Sequence, residues 1–154
     1  MIFKSFGSIT NEIIQKPFIL LYGENSSLIN EIEKNIIRKL KEGTSITIKK
    51  YQEEYLLQNE DILNQIINSN NLFGDEEIYV ISKTTDKILQ IFDEEMAANN
   101  NKKIIFLSES LTKKSKLRAM GESSNHFACI ACYQDNPEQL QSLLLQKLKN
   151  IKIS

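Results

Sequence analysis

Five short segments of this chain have the length and the hydropathy pattern of a β-strand. Residues 18–22 are wholly apolar and stand between Pro17 and Gly23, as expected for a strand that is covered on both faces. Residues 45–49 instead alternate between polar and apolar positions, which is typical of a strand with one wet face at a sheet edge. The predicted strands are residues 18–22, 45–49, 78–81, 104–107 and 127–133.

Most segments between the strands carry apolar residues at the helical period. The clearest one is capped by Ser26 or Ser27, ends at Gly43, and has apolar residues at positions 28, 29, 32, 36, 37 and 40. The other predicted helices are residues 8–16, 61–68, 85–98 and 113–120, and a last one that Pro137 opens. Residues 51–59 are polar and are predicted to form a loop. This alternation predicts an α/β fold, with a mainly parallel sheet and helices on both faces.

The length and the net charge of the chain limit the classes of protein to which it could belong. The 154 residues suit one domain, and the formal net charge of -1 gives the whole molecule no attraction to nucleic acid or acidic membranes. No apolar run approaches the roughly 20 residues that span a bilayer, and the first residues lack the apolar core of a signal peptide. A cytoplasmic location with no membrane partner is therefore expected. Two cysteines are too few for a disulfide framework.

The turn after the first strand lacks the residues that bind phosphate. A P-loop needs a second glycine and a lysine to surround and neutralise the anion, whereas residues 23–27 read Gly-Glu-Asn-Ser-Ser. The third strand ends Ile81-Ser82-Lys83 and lacks the carboxylate that would organise magnesium. These two absences argue against an active ATPase, and no cofactor or metal is expected.

Cys129, Cys132 and His126 are the residues that most resemble a catalytic or metal site. The cysteines have C-x-x-C spacing, but they fall in a predicted strand, where residues three apart face opposite sides. A zinc site needs four ligands, and His126 is the only histidine. We therefore expect two core or near-core cysteines and a histidine at the surface or at a strand edge, without a legible catalytic partner.

Two further features have both a functional and a structural interpretation. Lys113, Lys114, Lys116 and Arg118 form a basic cluster that could contact DNA phosphates, although the residues alone favour a solvated helix face. Leu72 and Phe73 stand beside Gly74 and just before a predicted buried strand. Composition favours core positions for this pair, while the alternative is an exposed hydrophobic wedge that docks in a pocket of a partner.

The order and spacing of several segments resemble a known family. Residues 18–24, Phe-Ile-Leu-Leu-Tyr-Gly-Glu, are followed by Asn71-Leu72-Phe73-Gly74, by the basic segment 111–118 and by residues 127–140. Together they resemble the N-terminal domain of the bacterial DNA polymerase III clamp-loader delta subunit. The resemblance implies a five-stranded sheet of P-loop NTPase/AAA+-like topology, with strand order 5-1-4-3-2, no functional Walker A motif and no ATP hydrolysis.

The resemblance also implies a function and a site. In that family a Leu-Phe pair is the wedge that enters a pocket on the beta sliding clamp and favours the open ring, and the pair matches Leu72 and Phe73 here. Residues 1–136 would form the AAA+-like domain, and residues 137–154 a helix leading toward helical domains that this sequence lacks. Assembly with the gamma/tau and delta-prime subunits would need those domains, and DNA would be met indirectly. The alternatives are a degenerate P-loop nucleotide-binding domain and a nucleic-acid-binding domain that uses the basic helix.

Overall fold

The computed structural model describes residues 2–3, 11–69 and 76–133, which form a parallel sheet with helices on both faces. All strand pairs are parallel, and the order across the sheet is β1-β6-β2-β5-β4-β3. The strands are β1 (Ile2–Phe3), β2 (Phe18–Tyr22), β3 (Ile46–Gln52), β4 (Glu76–Ser82), β5 (Lys103–Ser108) and β6 (Phe127–Ala131). The α/β fold class is confirmed.

The sheet contains the five predicted strands in the order 5-1-4-3-2, and it adds one strand that the sequence did not indicate. Strand β3 lies at one edge, as its alternating pattern predicts. The added strand, β1, pairs Ile2 with Cys129 and Phe3 with Ile130 at the opposite edge. Two residues are too few to show a period, so this strand depends on its contact with β6 alone.

The two faces of the sheet bury separate apolar layers. The helices are α1 (Asn11–Gln15), α2 (Ser26–Leu40), α3 (Glu53–Gln58), α4 (Glu60–Asn68), a 3-10 helix (Asp86–Gln90), α5 (Glu94–Asn99) and α6 (Lys116–Ser123). Helices α1 and α2 cover one face, and the remaining helices contribute buried residues to the other. Because β2 lies between both layers, all five of its residues are buried, as its unbroken apolar run predicts.

Helix α2 is capped by Asn25, so the prediction of Ser26 or Ser27 as the cap was wrong. Asn25 Oδ1 accepts a hydrogen bond from Leu28 N at 3.0 Å, and Ser26 is already the first helical residue. Asparagine caps as well as serine because its short side chain also reaches the free amides of the first turn.

Residues 51–59 do not form the predicted loop, because β3 continues to Gln52 and α3 follows directly. The segment looked polar because a glutamate, Glu53, takes one of its buried positions. The Glu53 carboxylate accepts hydrogen bonds from Thr85 N at 2.8 Å and from Thr85 Oγ1 at 2.9 Å. Leu56 fills the adjacent core position. A buried carboxylate is tolerated when it accepts two hydrogen bonds. Because a hydropathy pattern counts the glutamate as polar, it does not reveal this helix.

The predicted helix at residues 85–98 is divided in two at Asp93. The Asp93 side chain accepts a hydrogen bond from Met96 N at 3.1 Å and so begins α5 as a new helix. Ile88 and Phe92 are buried, as predicted, but Met96 is 42% exposed because it lies beyond this break in the helical register. Helix α6 also differs: it begins at Lys116 rather than Lys113 and passes through Gly121 to Ser123.

Cys129 and Cys132 lie in the core, as predicted, and they belong to opposite layers of the sheet. Burial raises the pKa of the Cys129 thiol to about 12. A thiol in this environment stays protonated and unreactive. The predicted helix opened by Pro137 lies outside the described residues.

Candidate functional site

Leu72 and Phe73 lie outside the described residues, and the segment that contains them joins α4 to β4. Ser69 ends α4 on one side of this segment, and Glu76 begins β4 on the other. Both residues line a broad depression at the amino ends of the strands, together with Pro17, Lys103 and His126. The polypeptide therefore leaves and rejoins the described structure at this edge of the sheet.

The amino edge of the sheet is held by hydrogen bonds from lysine and tyrosine side chains. Lys103 donates to the backbone oxygens of Ile14 and Lys16 at the end of α1, and burial lowers the pKa of its ammonium group to about 8. At the start of β4, Glu77 accepts from the Tyr79 hydroxyl and lies 3.2 Å from Lys49 Nζ. These two contacts hold the pKa of Glu77 below its ordinary value.

The opposite, carboxyl edge is where a P-loop protein would bind phosphate, and here the turn is closed by protein backbone. Gly23 N donates to Glu109 O at 3.2 Å, and Asn25 N donates to Cys132 O at 3.1 Å. Gly23 has a φ of 142°, and a Cβ placed on it would lie 1.9 Å from Cys132 O. Two amides of the turn are therefore engaged by carbonyls, and the backbone of residue 132 packs directly against it.

The ends of β4 and β5 also pair with each other across this edge. Thr84 Oγ1 lies 2.6 Å from Ser108 Oγ and 2.7 Å from Leu107 O. Within the described ranges, no group of three or more histidine, cysteine, aspartate or glutamate side chains could hold a metal ion. The Thr84 and Ser108 hydroxyls link the carboxyl ends of β4 and β5 at this edge.

The structure divides the predicted basic cluster into two parts. Lys113 and Lys114 lie in the loop before α6, Lys116 begins the helix, and all three are exposed. Arg118 is largely buried: Nε lies 2.6 Å from Glu122 Oε1, and a second nitrogen donates to Leu111 O at 3.0 Å. Its guanidinium also lies over the ring of Tyr22, 5.2 Å from the centroid. Arg118 therefore has a structural role, and the three lysines remain available to a ligand.

A fourth lysine, Lys87, lies near the three exposed lysines because its neighbour Asp86 packs against the start of α6. The Asp86 carboxylate accepts hydrogen bonds from Ser115 Oγ at 2.6 Å, Lys116 N at 3.0 Å and Leu117 N at 3.0 Å. Lys87 and Lys114 consequently line the same shallow depression. Sequence reasoning missed Lys87, because nothing in its own segment indicates that the 3-10 helix packs at the start of α6.

The hydrogen bond from Ser115, with those from Leu117 and Lys116, holds the pKa of Asp86 below its ordinary value of 3.8. The carboxylate therefore stabilises the fold above the ordinary pKa, and this contribution is lost as the pH falls below about 4. We expect Asp86→Asn to lower the free energy of unfolding at pH 7 by about 1 kcal/mol. In urea titrations from pH 7 to pH 2, the difference from the wild type should shrink below pH 4. Asp61→Asn, in the exposed first turn of α4, is the control, and a pH-independent difference for Asp86→Asn would contradict the assignment.

His126 lies at the start of β6 with its side chain 44% exposed, in agreement with its predicted position. The sequence showed no partner for it, but the structure places Glu94 Oε1 3.2 Å from His126 Nδ1. The Ser124 hydroxyl donates to the same carboxylate oxygen. The carboxylate thus fixes the ring at the surface and joins α5 to the end of α6.

The fold and the two edges of the sheet together define an α/β protein with the strand order of the P-loop NTPase/AAA+ class. The turn at Gly23, where such a protein would bind phosphate, is closed by backbone. The chain is similar to the probable DNA polymerase III subunit delta of Rickettsia prowazekii (strain Madrid E), with 22% identity over 130 residues. This match covers 84% of the chain and 39% of that protein. The chain thus spans about two-fifths of the length of the relative.

No family model matches the chain. In the described ranges, none of the helices has both the length and the apolar character needed to cross a membrane.

Proposed function

We propose that this chain is a non-catalytic module of a DNA polymerase clamp loader and that it binds the sliding clamp through Leu72 and Phe73. The observation that carries the proposal is the similarity to a DNA polymerase III subunit delta over 84% of the chain. The closed turn at Gly23 supports it, because a module that does not bind ATP has no need of an open phosphate site.

The proposed mechanism depends on a difference in affinity between two states of the clamp. Full burial of two large apolar side chains is worth roughly 3–6 kcal/mol. Binding opens the ring only to the extent that Leu72 and Phe73 fit the open clamp better than the closed one. ATP would act through other subunits of the loader, of the gamma/tau and delta-prime kinds, which would control when the pair meets the clamp.

The direct test is equilibrium binding of the purified chain to the cognate beta sliding clamp, followed by biolayer interferometry. Saturable binding is expected. Failure to bind at clamp concentrations of about 100 µM, where even interactions of about -5.5 kcal/mol half-saturate, would contradict the proposal for a chain that circular dichroism shows to be folded.

A second candidate function is contact with nucleic-acid phosphates, and one feature favours it. Lys87, Lys113, Lys114 and Lys116 are exposed, and the salt bridges within the described ranges involve other cations. Two separate segments thus contribute to one basic surface on a chain whose formal net charge is only -1. Such a surface would bind phosphate without reading the base sequence.

This second candidate predicts salt-dependent binding of labelled duplex DNA, measured by fluorescence anisotropy. Lys113→Gln with Lys114→Gln should weaken binding several-fold and reduce the salt slope by about 2. The control is Lys34→Gln with Lys41→Gln, which removes the same charge from exposed positions in and just after α2. Equal losses for both pairs would point to a nonspecific charge effect and contradict a site at Lys113 and Lys114.

A further inference from the structure

The four exposed lysines described above come from two segments that are distant in the sequence and meet at the start of α6. Lys87 belongs to the 3-10 helix, whereas Lys113, Lys114 and Lys116 lie in the loop before α6 or at its first residue. Because the 3-10 helix packs against α6, Lys87 and Lys114 line one shallow depression. A polyanion that lies across this surface therefore meets lysines from both segments.

The carboxylate of Asp86 joins these two segments. Its Oδ1 accepts hydrogen bonds from Ser115 Oγ at 2.6 Å and from Leu117 N at 3.0 Å. Its Oδ2 accepts a third hydrogen bond from Lys116 N at 3.0 Å. Asp86 thus satisfies free amides in the first turn of α6 from outside that helix, where a negative charge is also favoured by the helix dipole. Lys87, which follows Asp86 directly, consequently has its backbone fixed relative to Lys116.

The segment that carries Asp86 is also held from the side of the sheet. The buried Glu53 carboxylate accepts hydrogen bonds from Thr85 N at 2.8 Å and from Thr85 Oγ1 at 2.9 Å. The Thr85 hydroxyl in turn accepts from Lys87 N at 3.2 Å, and the next residue, Ile88, is fully buried. The backbone is therefore fixed on both sides of Asp86, and the Lys87 side chain starts from a rigid position.

The loop before α6, which carries two of the lysines, is closed by hydrogen bonds at both of its ends. Ser115 N donates to Thr112 O at 3.0 Å, and the Arg118 guanidinium donates to Leu111 O at 3.0 Å. Arg118 is itself anchored, because its Nε lies 2.6 Å from Glu122 Oε1. Both segments of the basic surface therefore have a defined backbone, and Asp86 is the side chain that bonds one to the other.

We propose that Asp86 is a positioning residue for phosphate binding, which holds Lys87 at a fixed place relative to the lysines at the start of α6. This inference rests on the second candidate function, contact with the phosphates of duplex DNA. The phosphates of a duplex have a regular spacing, and lysines on a fixed backbone lose less conformational freedom when they meet it. Asp86 does not touch the DNA, so its effect on affinity must operate through Lys87.

The charge and the position of Asp86 have opposite effects on the affinity for phosphate. Among the described residues that line the depression, Asp86 is the only acidic one, and its charge by itself repels a polyanion. Removal of the carboxylate should therefore strengthen DNA binding if Asp86 acts through its charge alone. The same removal should weaken DNA binding if Asp86 holds Lys87 in place.

The test measures binding of a labelled DNA duplex by fluorescence anisotropy over a series of salt concentrations. Lys87→Gln should weaken binding several-fold and reduce the salt slope by about 1, as expected for the loss of one phosphate contact. Asp86→Ala removes the hydrogen bonds to α6 and should produce a loss of the same kind, with the same reduced slope. In a chain that already carries Lys87→Gln, Asp86→Ala should weaken binding no further.

Two further variants break the link with less disturbance. Asp86→Asn keeps one acceptor oxygen, so it should show a smaller loss than Asp86→Ala, and it replaces that variant if circular dichroism shows Asp86→Ala to be unfolded. Ser115→Ala removes the donor to Asp86 Oδ1 and the acceptor for Arg118 N without a change in charge. Ser115→Ala should also weaken DNA binding.

Asn25→Ala and Glu109→Gln are the matched controls. Asn25→Ala removes the cap of α2, which packs on the opposite face of the sheet from α6. Asn25→Ala and Ser115→Ala should lower the melting temperature by similar amounts, but only Ser115→Ala should weaken DNA binding. Glu109→Gln removes a negative charge from the exposed segment before α6 and leaves the Asp86 hydrogen bonds intact. It should bind DNA at least as tightly as the wild type.

Two outcomes separate failure of this inference from failure of the function on which it rests. If Lys113→Gln with Lys114→Gln weakens DNA binding while Asp86→Ala binds as tightly as the wild type or more tightly, the positioning role is wrong and the second candidate function stands. If the wild-type chain does not bind the duplex even at low salt, or if Lys34→Gln with Lys41→Gln causes an equal loss, the second candidate function is contradicted, and the positioning role with it.

Discussion

Alanine at both Leu72 and Phe73 is expected to weaken binding to the beta sliding clamp by at least about 100-fold. The change removes two large apolar groups whose burial in the partner is worth roughly 3–6 kcal/mol, and each 1.4 kcal/mol is tenfold in affinity. Interfaces commonly concentrate their binding energy in such a few side chains. The dissociation constants of wild type and variant, measured against the same clamp, check this prediction.

The same variant separates the two interpretations of the pair that the sequence left open. If Leu72 and Phe73 form a docking wedge, the variant loses affinity while its free energy of unfolding stays within about 1 kcal/mol of the wild type. If they are core residues, truncation should cost about 3–5 kcal/mol or more of folding stability. Tyr55→Ala, which shortens a half-exposed aromatic side chain on α3, is the control. A folded double variant with unchanged affinity would contradict the wedge.

The largest effect on stability is expected from Gly23→Ala. A Cβ at this position would lie 1.9 Å from Cys132 O and 2.4 Å from Cys132 C, which is far inside van der Waals contact. The backbone there cannot yield easily, because Cys132 N donates to Tyr22 O and Cys132 O accepts from Asn25 N. The φ of 142° adds strain for any residue with a side chain. We expect a loss of about 3 kcal/mol or more in the free energy of unfolding, measured by urea denaturation.

Gly43→Ala distinguishes steric contact from backbone strain. Gly43 also has a positive φ, of 71°, but a Cβ on it would meet no atom within 4 Å. Its replacement should therefore cost only the strain of a left-handed residue, about 1–2 kcal/mol. Equal losses at Gly23 and Gly43 would show that the turn does not pack against residue 132 as described. Retained stability of Gly23→Ala with a gain of ATP binding would mean that this turn can open into a phosphate site.

Strands were predictable from the sequence where burial on both faces leaves an unbroken apolar run. Phe18–Tyr22 is such a case, since all five residues are buried between the two helical layers. The alternation around Ile46 and Ile48 likewise indicated an edge strand, and β3 lies at an edge. These features are local, because successive side chains of a strand point to opposite faces of the sheet. The polarity of each residue therefore indicates whether its face is buried or exposed.

Helix boundaries were less predictable, because polar side chains decided them. Glu53 occupies a buried helical position only because Thr85, thirty-two residues away, supplies two donors. Asp93 restarts the helix inside a segment whose apolar spacing looked continuous, since its carboxylate accepts from Met96 N. Such hydrogen bonds override propensity, and hydropathy does not record them.

The sequence by itself determined the α/β class, the edge position of β3, the core positions of both cysteines and the lack of a P-loop motif. Each depends on residue type and on short-range spacing. Only the tertiary structure decided that backbone closes the Gly23 turn, that Lys87 joins Lys114 on one surface, and that Glu94 lies beside His126. Those residues lie far apart in the sequence, and only the packing of helices on the sheet brings them together.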